Sequence, residues 1–141
     1  MIRRVFLLIF ITQLIFGCAK HDVKNKQFYR AIANQDTAYL SIIRLENKFY
    51  GQYEIRYNGK AFIDSGDVTG IIKKDTLRGT FHFKPYGGGE WRRKPIIFLE
   101  ENGKLLLGKG FVHSFLKIAY FDETVPFDFS KPDFVFDEIT E

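Results

Sequence analysis

The chain has 141 residues, a formal charge of +4, a hydrophobic fraction of 45% and a single cysteine. One cysteine excludes disulfide staples, so a single hydrophobic core must hold the fold, which a chain of this length can bury. No apolar run reaches the ~20 residues that a membrane-spanning helix needs.

In chain order, Arg3 and Arg4 precede an apolar run from Val5 to Phe16, interrupted by Thr12 and Gln13 and followed by Gly17-Cys18. A positive end, a short greasy segment and a small residue before the cut make a secretory signal peptide. Leu14-Ile15-Phe16-Gly17-Cys18 resembles the lipobox of bacterial lipoproteins, with Phe16 as its one departure. The resemblance implies that residues 1–17 are removed and that the Cys18 thiol takes a diacylglyceryl group. The freed amine of Cys18 is then acylated, and the membrane is a partner through this anchor. Two chains, each buried methylene contributing roughly 0.8 kcal/mol, hold a protein at a bilayer. The expected address is the bacterial cell envelope, at the outer membrane. The bland alternative is an uncleaved anchor with an incidental cysteine. Residues 18–27 are polar and lysine-rich and read as a tether.

Residues 28–141 read as a single domain. From Phe28 the pattern changes to short alternating runs broken by turn signals, which predicts an all-β fold. Strands are expected at Phe28–Ala33 and Thr37–Leu45, with Ala38, Leu40 and Ile42 on one face. Lys48–Tyr57 is the clearest strand: Phe49, Gly51, Tyr53, Ile55 and Tyr57 share a face opposite Lys48, Tyr50, Gln52, Glu54 and Arg56. Asn58-Gly59 is a favoured hairpin dipeptide, and Asp64-Ser65-Gly66 reads as a further turn. Val68, Gly70 and Ile72 line the next strand, then Leu77, Gly79, Phe81 and Phe83 the one after. Pro85 and Tyr86-Gly87-Gly88-Gly89 end it. Trp91–Glu101 resumes, with Pro95 placing its first half at an edge or bulge. Asn102-Gly103 turns into Lys104–Val112, and Leu116–Phe121 is the next strand. Pro126 and Pro132 break up the C-terminal segment.

Three glycines, Gly51, Gly70 and Gly79, sit between large residues on apolar faces, and Gly108 and Gly110 form a variant. Glycine weakens a strand, so these sites need a reason: a sheet kinking to close into a small barrel, or room left for a ligand. About eight even strands joined by tight turns predict an antiparallel up-and-down meander, closed or partly open as a barrel, with a sandwich as the alternative.

The motifs Asp36-Thr37-Ala38, Gly51, Gly66 with Gly70, Asp75-Thr76-Leu77-x-Gly79, Gly89-Glu90, Phe98 and Gly108-x-Gly110 occur in order over roughly residues 28–112. In this order and spacing the domain resembles a group of small Bacteroidota envelope lipoproteins of unestablished function. The resemblance implies a lipid-anchored β-barrel-like domain and supplies no catalytic residues. Where that group often has a serine-containing loop after its Gly-Glu, this chain has Trp91-Arg92-Arg93-Lys94.

The charge is uneven. Residues 18–121 carry 18 Lys/Arg against 10 Asp/Glu, whereas residues 122–141 carry 7 acids against Lys131. The acidic segment either packs along a basic wall or leaves a basic face for anionic lipid or glycan. An exported lipoprotein does not normally meet nucleic acid, which removes that partner. His21, His82 and His113 are scattered without metal-ligand spacing. No Gly-x-Ser-x-Gly or phosphate-binding loop is present. Asp64 and Asp67 could chelate calcium but read as a turn, and Glu100-Glu101 reads as solvated. No metal and no cofactor is expected. The cluster that stands out is Trp91 with Arg92 and Arg93: a tryptophan flanked by guanidinium groups stacks on a sugar ring and holds an anionic substituent, or simply caps the barrel end. The expected function is a non-catalytic binding or interaction module taking an apolar or anionic envelope ligand or docking on a partner. The alternative is an envelope glycan or lipid hydrolase whose residues the fold would bring together.

Overall fold

The computed structural model describes residues 25–58 and 62–140. The expected signal peptide, Cys18, His21 and the Gly59 half of the Asn58-Gly59 turn lie outside the described residues. The ten strands are β1 (Lys26–Ala33), β2 (Asp36–Leu45), β3 (Lys48–Tyr57), β4 (Phe62–Lys73), β5 (Thr76–Lys84), β6 (Arg92–Glu101), β7 (Lys104–Leu107), β8 (Val112–Phe115), β9 (Ile118–Phe121) and β10 (Val135–Ile139). Eight of them close an antiparallel barrel in the order β1-β10-β7-β6-β5-β4-β3-β2, and β8 with β9 forms a separate two-stranded sheet. The all-β meander expected from the alternation is therefore what the chain adopts, closed as a barrel.

Alternation decides which residues point in. Phe49, Tyr53 and Ile55 of β3 are buried, as are Ala38, Leu40 and Ile42 of β2 and Leu77, Phe81 and Phe83 of β5. Their rings pack against one another: Tyr53 lies 4.8 Å from Phe81, 6.3 Å from Phe98 and 5.9 Å from Phe136, centroid to centroid. Aromatic side chains thus fill the barrel axis. The strand glycines serve closure. A Cβ on Gly51 would lie 1.7 Å from the Ser41 carbonyl oxygen, and one on Gly79 would lie 2.1 Å from that of Thr69. The bare backbone lets neighbouring strands bend together, so these glycines leave no space for a ligand.

Each barrel end is closed by polar side chains of inward register. At the end where the chain enters β1, Arg44 Nη1 donates to Glu100 Oε2 at 2.6 Å and Arg44 Nη2 to the Tyr29 hydroxyl at 3.4 Å. Glu100 is thus an ion-pair partner and only part-exposed, in place of the solvated acid expected. At the opposite end the Tyr57 hydroxyl donates to Asp64 Oδ2 at 3.1 Å and the Tyr86 amide to Asp64 Oδ1 at 3.0 Å.

Four sequence expectations are corrected. Asp64-Ser65-Gly66 lies inside β4 and is no turn: a Cβ on Gly66 would meet the His82 carbonyl oxygen at 2.0 Å, so this glycine also serves close strand approach. β1 begins at Lys26, two residues inside the expected tether. The strand expected over Lys104–Val112 stops at Leu107, and the segment expected to follow as a barrel strand forms β9 of the outer sheet. The barrel is closed instead by β10 from the acidic tail, whose Phe136 is fully buried. That tail is tied to basic residues by Lys104–Asp137 at 2.8 Å, Lys109–Asp133 at 2.9 Å and Arg78–Glu123 at 2.8 Å. Pro95 sits where expected, in the half of β6 that lies outside the β6–β7 ladder of Phe98–Glu101.

The Tyr53 hydroxyl is buried without a hydrogen-bond partner among the described residues, and burial pushes the phenol's pKa up. An unsatisfied buried hydroxyl costs about 1–3 kcal/mol. Tyr53→Phe is therefore expected to raise the urea-unfolding free energy by roughly 1 kcal/mol. A clear loss of stability would show that the hydroxyl has a partner after all.

Candidate functional site

The barrel interior is filled by buried side chains, which leaves room for a site on the outer surface. Its most unusual part is the β8–β9 hairpin. β7 ends at Leu107, and the chain leaves the barrel through Lys109, which bridges to Asp128. Gly108 and Gly110 are needed at this exit, because a Cβ on each would lie 2.3 Å from the Phe129 ring and 2.6 Å from the Phe121 ring. Phe121 is buried and packs edge-on against Phe127 at 5.1 Å. Arg78 on β5 lies 5.6 Å over the Phe127 ring and pairs with Glu123. The Asp122 amide donates to the Phe111 carbonyl at 2.8 Å, closing the hairpin base. These contacts pin the base rigidly to the barrel wall.

The rest of the hairpin is open. Val112 pairs with Phe121 and Ser114 with Ala119, and these face the barrel; His113 with Tyr120 and Phe115 with Ile118 face away. Phe115 is 66% and Leu116 78% exposed, and Phe111, Ile118 and Tyr120 are exposed beside them. Leu116 and Lys117 at the tip both hold positive φ, 50° and 65°. Without a glycine or asparagine this left-handed tip costs of order 1–3 kcal/mol per residue, a cost that concentrates at functional segments. Phe111, Phe115, Leu116, Ile118 and Tyr120 thus form a contiguous exposed apolar face on the hairpin.

At the hairpin base the Asp122 carboxylate accepts from Thr124 Oγ1 at 2.6 Å and from the Thr124 amide at 2.9 Å, and faces His113 Nε2 at 2.9 Å. The Thr124 hydrogen bonds first, then that with His113, hold its pKa down to about 2. A depressed folded pKa gives stability that is present above the unfolded value of ~3.9 and is lost as pH falls through about 2. The Asp122 carboxyl is expected to titrate near pH 2 by NMR, and Thr124→Val should move it up. A midpoint at the ordinary aspartate value in the unaltered chain would contradict this geometry.

The Trp91 cluster is split by the fold. Trp91 lies on the outer wall, stacked on His82 at 4.6 Å with Lys84 Nζ 5.2 Å from the ring centroid. Arg93 pairs in register with His82 and so joins this face, whereas Arg92 pairs with Phe83 and alternates to the other. No described carboxylate lies within ion-pair distance of Arg92 or Arg93. Trp91 stands on the wall rather than plugging the mouth, and 52% of it is exposed. Asp64 and Asp67 fall on opposite faces of β4, which separates the two would-be calcium ligands. Among the described residues no group of His, Cys, Asp and Glu is arranged to hold a metal ion.

Neither the hairpin nor a groove across the outer wall of β1–β4 is among the residues that the sequence singles out. The hairpin's one local sign is the run Phe115-Leu116 with Ile118-Ala119-Tyr120-Phe121, which does not alternate with polar residues. Comparison of the chain with protein families, with curated proteins and with solved structures gives no match.

Proposed function

We infer that this protein is a lipid-anchored lipoprotein of the bacterial envelope, held through Cys18, whose barrel is a non-catalytic module docking on a partner protein through the outer face of the β8–β9 hairpin. The observation that carries the reading is the exposed face of Phe111, Phe115, Leu116, Ile118 and Tyr120 on a base that is rigidly packed. A filled barrel argues against an interior ligand, and aromatic residues over a polar rim are the composition of a protein interface. The acidic side chains of Asp122 and Glu123 at the base favour a protein over a bilayer, because burying a carboxylate in hydrocarbon is costly. The lipobox supports the address, and the Bacteroidota resemblance agrees with it.

The test is the double variant Phe115→Ser/Ile118→Ser in the full-length chain. Both side chains lie outside the barrel sheet, so the unfolding midpoint should hold while cross-linking of the partner in intact envelopes is lost. Sedimentation of the purified chain identifies the case in which the partner is a second copy. An unchanged cross-linking pattern in the double variant would overturn the reading.

A further inference from the structure

Away from the hairpin, the outer wall of β1–β4 is hollowed into a groove of about 290 Å³. That is near the lower limit of ~300–1,000 Å³ for small-molecule sites, the size of a single ring. Its walls are two aromatic–cation pairs. Arg56 lies 4.8 Å over the Tyr39 ring and is held there by Glu54; Lys26 lies 5.0 Å over Phe28. Its floor is small and polar. Ser41 pairs with Phe28 on one side and Gln52 on the other, and Ser65 pairs with Glu54. The Ser41 Oγ accepts the Gln52 amide at 3.3 Å, which leaves its own O–H to donate.

We propose that this groove binds one pyranose unit of a glycan. The chemistry selects the ligand by elimination. Arg56 is paired with Glu54, which a bare carboxylate or phosphate at that end of the groove would meet. Lys26 has no ion pair among the described residues, so a sugar with an anionic substituent at the Lys26 end fits as well as a neutral one. A wholly apolar ligand would leave Gln52 and Ser65 desolvated and unpaired, at about 1–3 kcal/mol each. A sugar ring satisfies both requirements: its C–H face lies on Tyr39 and Phe28, and its hydroxyls both donate and accept, as Ser41, Gln52 and Ser65 do. This site stands independently of the hairpin, being on strands that the hairpin does not touch in register.

The experiment is an amide-shift titration of the full-length chain in detergent with methyl glucoside, methyl galactoside and N-acetylglucosamine, with phenol and inorganic phosphate as controls. At least one sugar should shift the Ser41, Gln52 and Ser65 amides saturably, beyond either control. Tyr39→Ala and Gln52→Ala should each weaken that binding about ten-fold or more. Trp91→Ala and the hairpin double variant should leave it unchanged, which separates this site from the docking reading. An oligomer of the responding sugar binding more tightly than its methyl glycoside would place the unit within a polysaccharide; equal affinity would place it as a free or terminal sugar. Silence of all three sugars, an equal response to phenol or phosphate, or wild-type affinity in both groove variants with their amide dispersion intact would each overturn the proposal.

Discussion

Gly51→Ala is expected to destabilise the barrel by about 3 kcal/mol or more, lowering the thermal midpoint by roughly 10–15 °C. The added Cβ would sit 1.7 Å from the Ser41 carbonyl oxygen and 2.7 Å from its carbon, and both are backbone atoms. A flexible side chain could swing aside, but the Ser41 carbonyl belongs to the β2–β3 ladder, where Ser41 pairs with Gln52 and Ile42 with Gly51. Relief requires β2 and β3 to separate, which undoes closure beside Tyr53. Gly88→Ala supplies the control, since nothing lies within 4 Å of its Cβ position and its φ of −151° suits any residue. That variant should change stability by no more than ~0.5 kcal/mol. Equal midpoints for the two variants would mean that the strands are farther apart than described.

Phe136→Ala is expected to cost about 3–5 kcal/mol, the range for truncating a fully buried phenylalanine. Its ring lies 5.9 Å from Tyr53, 5.8 Å from Phe98 and 5.9 Å from Phe134, so three neighbours lose a packing partner at once. The position matters as well as the cavity. β10 closes the barrel by pairing with β1 through Phe28–Ile139 and with β7 through Leu105–Phe136. Loosening it opens both seams, so hydrogen exchange should accelerate in β10 and β1 before it does in β3–β5. Denaturant unfolding measures the energy, and a loss below ~1 kcal/mol would show that β10 is peripheral.

The barrel's inner face was legible because closure makes one face of each strand dry. Phe49, Tyr53 and Ile55, or Leu77, Phe81 and Phe83, announce that face by a period of two. Gly66 misled because glycine beside aspartate and serine reads as a turn, whereas here it relieves contact with β5. β10 was hidden by chemistry of the opposite kind. Its Asp137 and Glu138 look like a solvated acidic tail until Phe136 is paired with Leu105, a contact thirty-one residues back along the chain. The hairpin was read as an ordinary strand, since local pattern does not tell a barrel strand from one folded outside. Of the surface residues singled out, Trp91 and Arg93 do share a face, but Arg92 does not, because the strand alternates between them. The Tyr39 groove depends on four strands coming together and has no local signature.

The most direct test of docking through the hairpin is site-specific photo-cross-linking in living cells. A photoreactive residue is placed at Leu116, at the tip, and separately at Ile32 on the barrel wall, which is 66% exposed. The full-length chain with the probe at position 116 should give one discrete adduct of constant size, and the probe at position 32 should not give it. No adduct from position 116, or the same adduct from both positions, would contradict the account.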